Sequence, residues 1–144
     1  MSAYVDTSVL VAAHVREPHT ALAQNWLAGQ SGGLLLSTWA LLECDSALAI
    51  KLRRGELDTA TQAQAIEDID ALAIRFAPLT VPMDADIQRA RELCRNPASG
   101  LRAGDALHLA IALRLGAGTI ATLDAVLANN AATLGIAPVI RIPG

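Results

Sequence analysis

Short apolar runs alternate with longer amphipathic segments along the chain. Four of the runs are bounded by polar or turn-forming residues, which predicts buried strands at 3–5, 34–36, 119–122 and 139–142. A fifth run, 79–81, lies between Pro78 and Pro82. Proline cannot donate a hydrogen bond to a neighbouring strand, so this run predicts a strand at or near a sheet edge.

The segments between these runs predict helices, because their apolar residues recur at helical spacing. The predicted helices cover about 8–14, 19–27, 39–54, 60–74, 85–94, 105–115 and 125–134. Their predicted caps are Thr7 or Ser8, Ser37, Asp58 and Thr59, and Asp84. Strands alternating with helices at this spacing predict right-handed crossovers and a parallel sheet covered on both faces.

Composition narrows the class of protein. The 144 residues, of which 53% are hydrophobic and 17% charged, predict one globular domain over 1–144 and exclude a disordered chain. There is no apolar span of 20 residues, and the first residues lack the pattern of a secretory signal. We therefore expect a soluble cytoplasmic protein with no membrane partner, in which Cys44 and Cys94 are reduced, buried side chains.

Charge and aromatic content argue against bulk binding of nucleic acid. Eleven Lys and Arg residues against fourteen Asp and Glu residues leave a formal charge of -3, whereas nucleic-acid-binding domains usually carry a basic excess. Aromatic residues make up only 3% of the chain, which leaves few platforms for stacking bases. A nucleic acid would therefore need a local source of positive charge to bind to this chain.

Four acidic residues interrupt apolar segments, unlike the other ten, which lie at helix caps or in polar surroundings. Asp6 and Asp124 follow predicted strands, at the sheet edge where parallel sheets carry their functional crevice. Glu43 and Asp105 lie in apolar helical segments. Carboxylates gathered in one apolar cleft repel each other unless a cation binds. Oxygen ligands select hard divalent ions, so we expect Mg²⁺ or Mn²⁺.

These four segments resemble the PIN domain, and the small size resembles the VapC toxins of bacterial and archaeal toxin–antitoxin pairs. The motifs are Tyr-Val-Asp-Thr-Ser at 4–8, the helical Glu43, Asp-Ala-Leu-His-Leu-Ala at 105–110 and Thr-Leu-Asp at 122–124. The chain departs from the family at Ala125, where many relatives carry a basic residue, and at Asn129-Asn130. The resemblance implies a three-layer α/β/α fold with a central, mostly parallel sheet.

The resemblance also implies an activity, a Mg²⁺- or Mn²⁺-dependent endoribonuclease. Asp6, Glu43, Asp105 and Asp124 would hold the metal ion, with Glu43 either a direct ligand or bound through water. Ser8 and Thr122 are candidates to orient carboxylates or touch phosphate, although a turn or capping role explains Ser8 about as well and explains Thr122 better. Glu43 and Asp124 are equal candidates for the base that accepts a proton from the attacking water.

Partners follow from the same resemblance. RNA would be the substrate, a VapB-like antitoxin would occupy the acidic cleft, and a homodimer would form, for example through 48–52 or 58–74. Arg102, Arg95 and Lys51 are candidate RNA contacts, but exposed basic side chains are more often plain solvated surface. For His108, three residues after Asp105, a packed or hydrogen-bonded histidine is favoured over one that contacts a carboxylate or the substrate.

Three other functions compete with this interpretation. A phospho-receiver needs a lysine near the last strands, but Lys51 is the sole lysine of the sequence. A dehalogenase-like phosphatase needs Asp-x-Asp after the first strand, and here the third position is Ser8. A PIN-like module that binds RNA or a partner without cutting is the remaining alternative.

Overall fold

The computed structural model describes residues 2–140 and 142. Its strands are β1 (Ala3–Val5), β2 (Leu34–Leu35), β3 (Thr119–Ala121) and β4 (Ala137–Pro138). They form one sheet in the order β2-β1-β3-β4, and every neighbouring pair is parallel. The predicted parallel sheet is therefore confirmed.

Seven α-helices lie within these described residues. They are α1 (Thr7–His14), α2 (Thr20–Ala28), α3 (Thr38–Arg53), α4 (Thr59–Arg75), α5 (Asp84–Arg95), α6 (Ala103–Arg114) and α7 (Ala125–Thr133). A short 3-10 helix, Pro97–Ser99, occupies the predicted loop before α6. None of the helices in this part of the chain combines the length and apolar character needed to cross a bilayer.

The sheet separates two hydrophobic cores, because successive side chains of a strand point to opposite faces. Val5 and Ala121 pack on the face covered by α1 to α4. Tyr4 and Ile120 pack on the opposite face, against α6 and α7. The three-layer α/β/α architecture expected from the resemblance is thus confirmed.

Two strand predictions need correction. The last strand was predicted at 139–142, but β4 is Ala137–Pro138, and Arg141 lies outside the described residues. Ala137 N–H already donates to Gly118 O at 3.1 Å, so pairing with β3 begins almost directly after α7. The predicted edge strand at 79–81 is reduced to one bridge, between Ser37 and Thr80, because its flanking prolines lack N–H donors.

Several predicted caps were wrong, and one error concerns a buried acid. Asp6, rather than Thr7 or Ser8, caps α1, and Asp58 rather than Thr59 caps α4. Helix α5 begins after Met83, whose N–H donates to Asp86 at 2.9 Å. Asp86 was expected to be solvated, yet it is 1% exposed and pairs with Arg114.

The cysteine prediction holds for one residue of two. Cys44 is buried in the core of the first four helices, while Cys94 is exposed on α5. Both are free thiols. The prediction of reduced cysteines is therefore confirmed, and the prediction that Cys94 is buried was wrong.

Candidate active site

The carboxyl ends of β1 and β3 meet at one edge of the sheet. Val5 and Ala121 are paired in register, so Asp6 and Thr122 follow side by side. Thr122 Oγ1 donates to Asp6 Oδ2 at 2.7 Å and accepts from the Asp124 N–H at 3.0 Å. One hydroxyl therefore links the two acids that follow strands.

Asp6 is held on its other side by the first turn of α1. Its Oδ1 accepts from Ser8 N at 3.0 Å, Ser8 Oγ at 2.6 Å and Val9 N at 3.4 Å. Ser8 Oγ in turn accepts from Leu123 N at 2.9 Å. Burial raises the pKa of the Asp6 carboxyl, and the charge of His108 and these hydrogen bonds offset only part of the rise.

Glu43 reaches the same region from the middle of α3. Its Oε1 accepts from Thr7 Oγ1 at 2.7 Å and from His108 Nε2. Burial by itself would raise the pKa of the Glu43 carboxyl, but the two hydrogen bonds and the charge of the imidazole outweigh it and lower the pKa. Glu43 is therefore held in its ionised form.

A buried relay fixes which nitrogen of His108 carries a hydrogen. Nε2 faces the Glu43 carboxylate, which only accepts hydrogen bonds, so Nε2 carries the hydrogen in either charge state of the ring. Nδ1 lies 2.7 Å from Tyr4 Oη, which also lies 2.9 Å from Ser37 Oγ. The prediction that His108 is hydrogen-bonded is confirmed, and one of its partners is a carboxylate, the contact that the sequence favoured less.

The remaining two acids lie at helix N-termini. Asp124 caps α7, where its Oδ1 accepts from Leu127 N at 2.9 Å. Asp105 lies in the first turn of α6. Burial, followed by the negative charges of Asp124 and Asp6, raises the pKa of the Asp105 carboxyl to about 6. The mutual repulsion expected for clustered carboxylates is therefore present at this residue.

All four predicted acids line one cleft of about 310 Å³. The other polar side chains around it are Thr7, Ser8, Glu17, Lys51 and His108. Lys51 Nζ is paired with Glu17 Oε1 at 2.7 Å and with Glu56 Oε2 at 3.5 Å. Acidic groups therefore dominate the cleft, and its one lysine is already neutralised by acids.

A larger neighbouring cavity of about 570 Å³ shares Glu17 and Lys51 with the cleft but is lined by none of the four acids. Its lining residues, which include Arg16 and Asp58, carry both signs of charge. The smaller acidic cleft is the better candidate active site because it holds two carboxyl groups with raised pKa values, those of Asp6 and Asp105.

The donor chemistry of the cleft fits a hard cation, although the side chains are not yet arranged around one. Within residues 2–140 and 142, no three His, Cys, Asp or Glu side chains lie close enough together to hold a metal ion. At least one carboxylate oxygen of each of Asp6, Glu43 and Asp124 accepts a hydrogen bond from another group of the protein. A divalent ion would relieve the repulsion that raises the pKa of Asp105, and the carboxylates would have to turn toward the ion to bind it.

Of the three candidate RNA contacts, one lines the cleft and two lie outside it. Lys51 lines the cleft. Arg95 ends α5 and Arg102 immediately precedes α6, and both are exposed outside the residues that line the cleft. Sequence reasoning did not single out Thr7, Tyr4 or Ser37 as partners of the site. The apolar residues around Tyr4 gave no signal of its contact with His108.

Comparison with known proteins identifies the family. A family model described as PIN domain matches residues 3–132. The chain belongs to the PIN domain family. No curated protein sequence is significantly similar to this PIN domain.

Solved structures share the fold of this PIN domain at low sequence identity. VapC20 of Mycobacterium tuberculosis, described as a toxin that cleaves the sarcin-ricin loop, matches with a TM-score of 0.74 and 18% identity over 97% of this chain and 100% of that one. PAE2754 from Pyrobaculum aerophilum has a TM-score of 0.66 and 20% identity over 96% and 90% of the two chains. FitAcB from Neisseria gonorrhoeae has a TM-score of 0.63 and 20% identity over 94% and 95%.

Proposed function

We propose that this PIN domain is a Mg²⁺- or Mn²⁺-dependent endoribonuclease, the VapC-like toxin of a toxin–antitoxin pair, acting in the cytoplasm. One observation carries the proposal: four carboxylates from distant parts of the chain line one cleft. Membership of the PIN family and the likeness of the fold to a toxin described as cleaving the sarcin-ricin loop support it.

Asp6, Asp105 and Asp124, with Glu43 as a direct or water-bridged ligand, would hold the ion. A bound divalent ion would neutralise charge on the scissile phosphate and lower the pKa of a water molecule. Thr122 and Ser8 restrain Asp6, so they keep its carboxylate at the edge of the sheet. In-line attack of that water molecule on the phosphorus would break the P–O3′ bond, with one water proton passing to a carboxylate, and would leave a 5′-phosphate and, after protonation of the leaving oxygen, a 3′-hydroxyl.

Glu43 and Asp124 are the two candidates for the proton acceptor. Glu43 Oε1 is occupied by Thr7 and His108, and Asp124 Oδ1 is occupied by the N–H of Leu127. Each carboxylate has its second oxygen to offer to a water molecule. The lowered pKa of Glu43 keeps its carboxyl ionised, so Glu43 can act as a ligand or as the acceptor, and Asp124 stands beside it as the other candidate acceptor.

The central experiment compares the cleavage of total RNA by the wild-type protein with that by two single variants, Asp6→Asn and Asp105→Asn. We expect cleavage by the wild-type protein only with Mg²⁺ or Mn²⁺, and its loss in both variants while circular dichroism remains native. Sequencing the 5′ ends of the fragments identifies the RNA and the cut site. Unchanged cleavage by the purified variants would refute the assignment of the site.

A non-cleaving PIN-like binding module is the second candidate. It is favoured by the lack of a ready-made set of three metal-binding side chains among the described residues. This module would bind RNA or a protein partner with an affinity independent of Mg²⁺. A Mg²⁺ titration monitored by both RNA binding and RNA cleavage separates the two functions.

RNA contacts by Arg102, Arg95 and Lys51 are part of the proposal. Arg102 is adjacent to the helix that carries Asp105, whereas Arg75 lies on α4 over the ring of Phe76. We expect Arg102→Glu to weaken cleavage more than Arg75→Glu, because a phosphate near the cleft would lose a cation. Equal effects of the two charge reversals would remove the case for a basic rim.

The proposed protein partners are a VapB-like antitoxin and a second copy of the chain. Leu48, in one segment expected to form a homodimer, is fully buried and belongs to the core. In the other expected segment, 58–74, Ile74 is 78% exposed, and large apolar side chains are also exposed at Leu42, Val81 and Met83. Light scattering should give about twice the 15.0 kDa of one chain, and a monomer mass would contradict the homodimer.

A further inference from the structure

Gly104 occupies a position where a side chain would overlap with Glu43. A Cβ atom built on Gly104 would lie 2.8 Å from Glu43 Oε2 and 3.5 Å from Trp39 Cζ2. Real Cβ atoms essentially never approach a heavy atom within 3.0 Å. Glu43 therefore lies in space that is open only because residue 104 is a glycine.

The backbone does not explain this glycine. Gly104 is the second residue of α6, and the described glycines with positive φ are Gly33, Gly55, Gly100, Gly116 and Gly135. Alanine is a better helix former than glycine, so helix propensity also disfavours glycine here. The close approach of the Glu43 carboxylate is the remaining reason for it.

Glu43 is confined from the opposite side as well. Thr7 Oγ1 and His108 Nε2 hold Oε1, while Oε2 faces Gly104. Trp39 Nε1 donates to Gly104 O at 3.3 Å, which ties the start of α6 to α3, the helix that carries Glu43. The Glu43 carboxylate thus lies between two hydrogen-bond donors on one side and the first turn of α6, at Gly104, on the other.

We propose that Gly104 is a positioning residue for Glu43, which acts by leaving free the space that the carboxylate needs beside Asp105. The relevance of this position to catalysis rests on the proposed nuclease function. The atom that would meet a new Cβ is the far end of a flexible side chain. A methyl group at 104 would therefore displace the Glu43 carboxylate and leave the fold in place.

The test compares Gly104→Ala with Gly32→Ala, a control in which a Cβ would meet no atom within 4 Å. We expect Gly104→Ala to keep its melting temperature, because the higher helix propensity of alanine offsets the loss of the Glu43 hydrogen bonds, to lower kcat for RNA cleavage at least tenfold and to leave KM within twofold. Gly32→Ala should leave kcat unchanged. A loss of activity without a loss of stability distinguishes positioning from a merely structural role.

A second measurement does not depend on catalysis. In the wild-type protein the Nε2–H proton of His108 should give a downfield NMR signal, because it donates to Glu43. We expect this signal to shift or vanish in Gly104→Ala and to remain in Gly32→Ala. If the wild-type protein cleaves no RNA, the nuclease proposal fails, while the NMR comparison still decides the role of Gly104.

A shorter acid at 43 completes the test. In Glu43→Asp the side chain is one methylene shorter, so this change alone should lower kcat. Added to Gly104→Ala, it should lower kcat little further. If Gly104→Ala fails to fold, the double variant should recover the fold, because the clash is removed. An unchanged His108 signal and kcat in Gly104→Ala, or a double variant that stays unfolded, would overturn the proposal.

Discussion

Tyr4 Oη lies 2.7 Å from His108 Nδ1, so a buried hydroxyl of β1 supports a histidine of α6. The other nitrogen of that ring faces Glu43 in the acidic cleft. Tyr4 itself has no exposed surface. A core side chain thus helps to orient a carboxylate that a substrate would meet.

Replacing Tyr4 by Phe tests this relay. The ring packing would remain, but Ser37 and His108 would each lose a buried hydrogen-bond partner. We expect the free energy of unfolding to fall by about 1–2 kcal/mol and the rate of the proposed RNA cleavage to fall about tenfold. Urea denaturation and single-turnover cleavage measure the two effects. A variant with lower stability but full activity would restrict Tyr4 to a structural role.

Asp105→Asn should stabilise the protein at neutral pH. The folded-state pKa of about 6 lies above the ordinary value of 3.8, so the folded chain binds more protons between these values and loses stability as pH rises. Asparagine removes the charge that is unfavourable in the fold. After allowance for the partial exposure of the side chain, we expect a gain of about 1 kcal/mol at pH 7.5.

Thermal or urea denaturation at pH 7.5 and pH 4 checks the Asp105→Asn prediction. The gain should shrink at the lower pH, where Asp105 is already largely protonated in the folded state. Asp70→Asn, at an exposed position on α4, is the matched control and should change stability little at either pH. A destabilised Asp105→Asn at pH 7.5 would mean that repulsion within the cleft does not act on this carboxyl.

Metal binding should depend on pH through the same residue. Because Asp105 has a pKa of about 6, a proton competes with the metal ion for its carboxylate below that pH. Isothermal titration with Mn²⁺ should give nearly constant affinity from pH 7 to 8 and a steep loss below about pH 6. An affinity that stays constant down to pH 5 would speak against Asp105 as a ligand.

Arg114→Ala should destabilise the fold strongly because it strands a buried charge. Arg114 Nε and Nη2 donate to the two oxygens of Asp86 at 2.8 and 2.9 Å. We expect a loss of about 3 kcal/mol by urea denaturation. Arg89→Ala, which breaks only an exposed pair with Glu92, should cost about 0.5 kcal/mol or less. Similar losses in both variants would contradict the structural role of Asp86.

The Asp86 pair also predicts acid sensitivity. Burial by itself raises the pKa of the Asp86 carboxyl, but the hydrogen bonds from Arg114 and Met83 and the charge of the guanidinium lower it overall. The stabilisation is therefore present above the ordinary pKa of 3.8 and is lost as pH falls through the lower folded-state value. Wild-type stability should show this loss below about pH 4, and Arg114→Ala should not.

Local patterns predicted much of the fold because they act over a few neighbouring residues. Apolar runs and helical spacing identified the strands near Tyr4 and Ile120 and the seven helices, and they implied the parallel sheet. The wrong caps of α1 and α4 involve local contacts of Asp6 and Asp58, but other errors fell where the end of an element depends on distant partners. Met83 and Asp86, for example, close the start of α5 together with Arg114 of α6.

The chemical types in the cleft could also be read from the sequence, because a carboxylate in an apolar segment needs a special environment wherever it lies. Only the tertiary structure decided how those carboxylates are held. Glu43 faces His108 and Gly104, which are more than sixty positions away in the sequence. Thr122 donates a hydrogen bond to Asp6, which lies 116 positions before it. Packing of the helices on the sheet sets such contacts, and no local spacing encodes them.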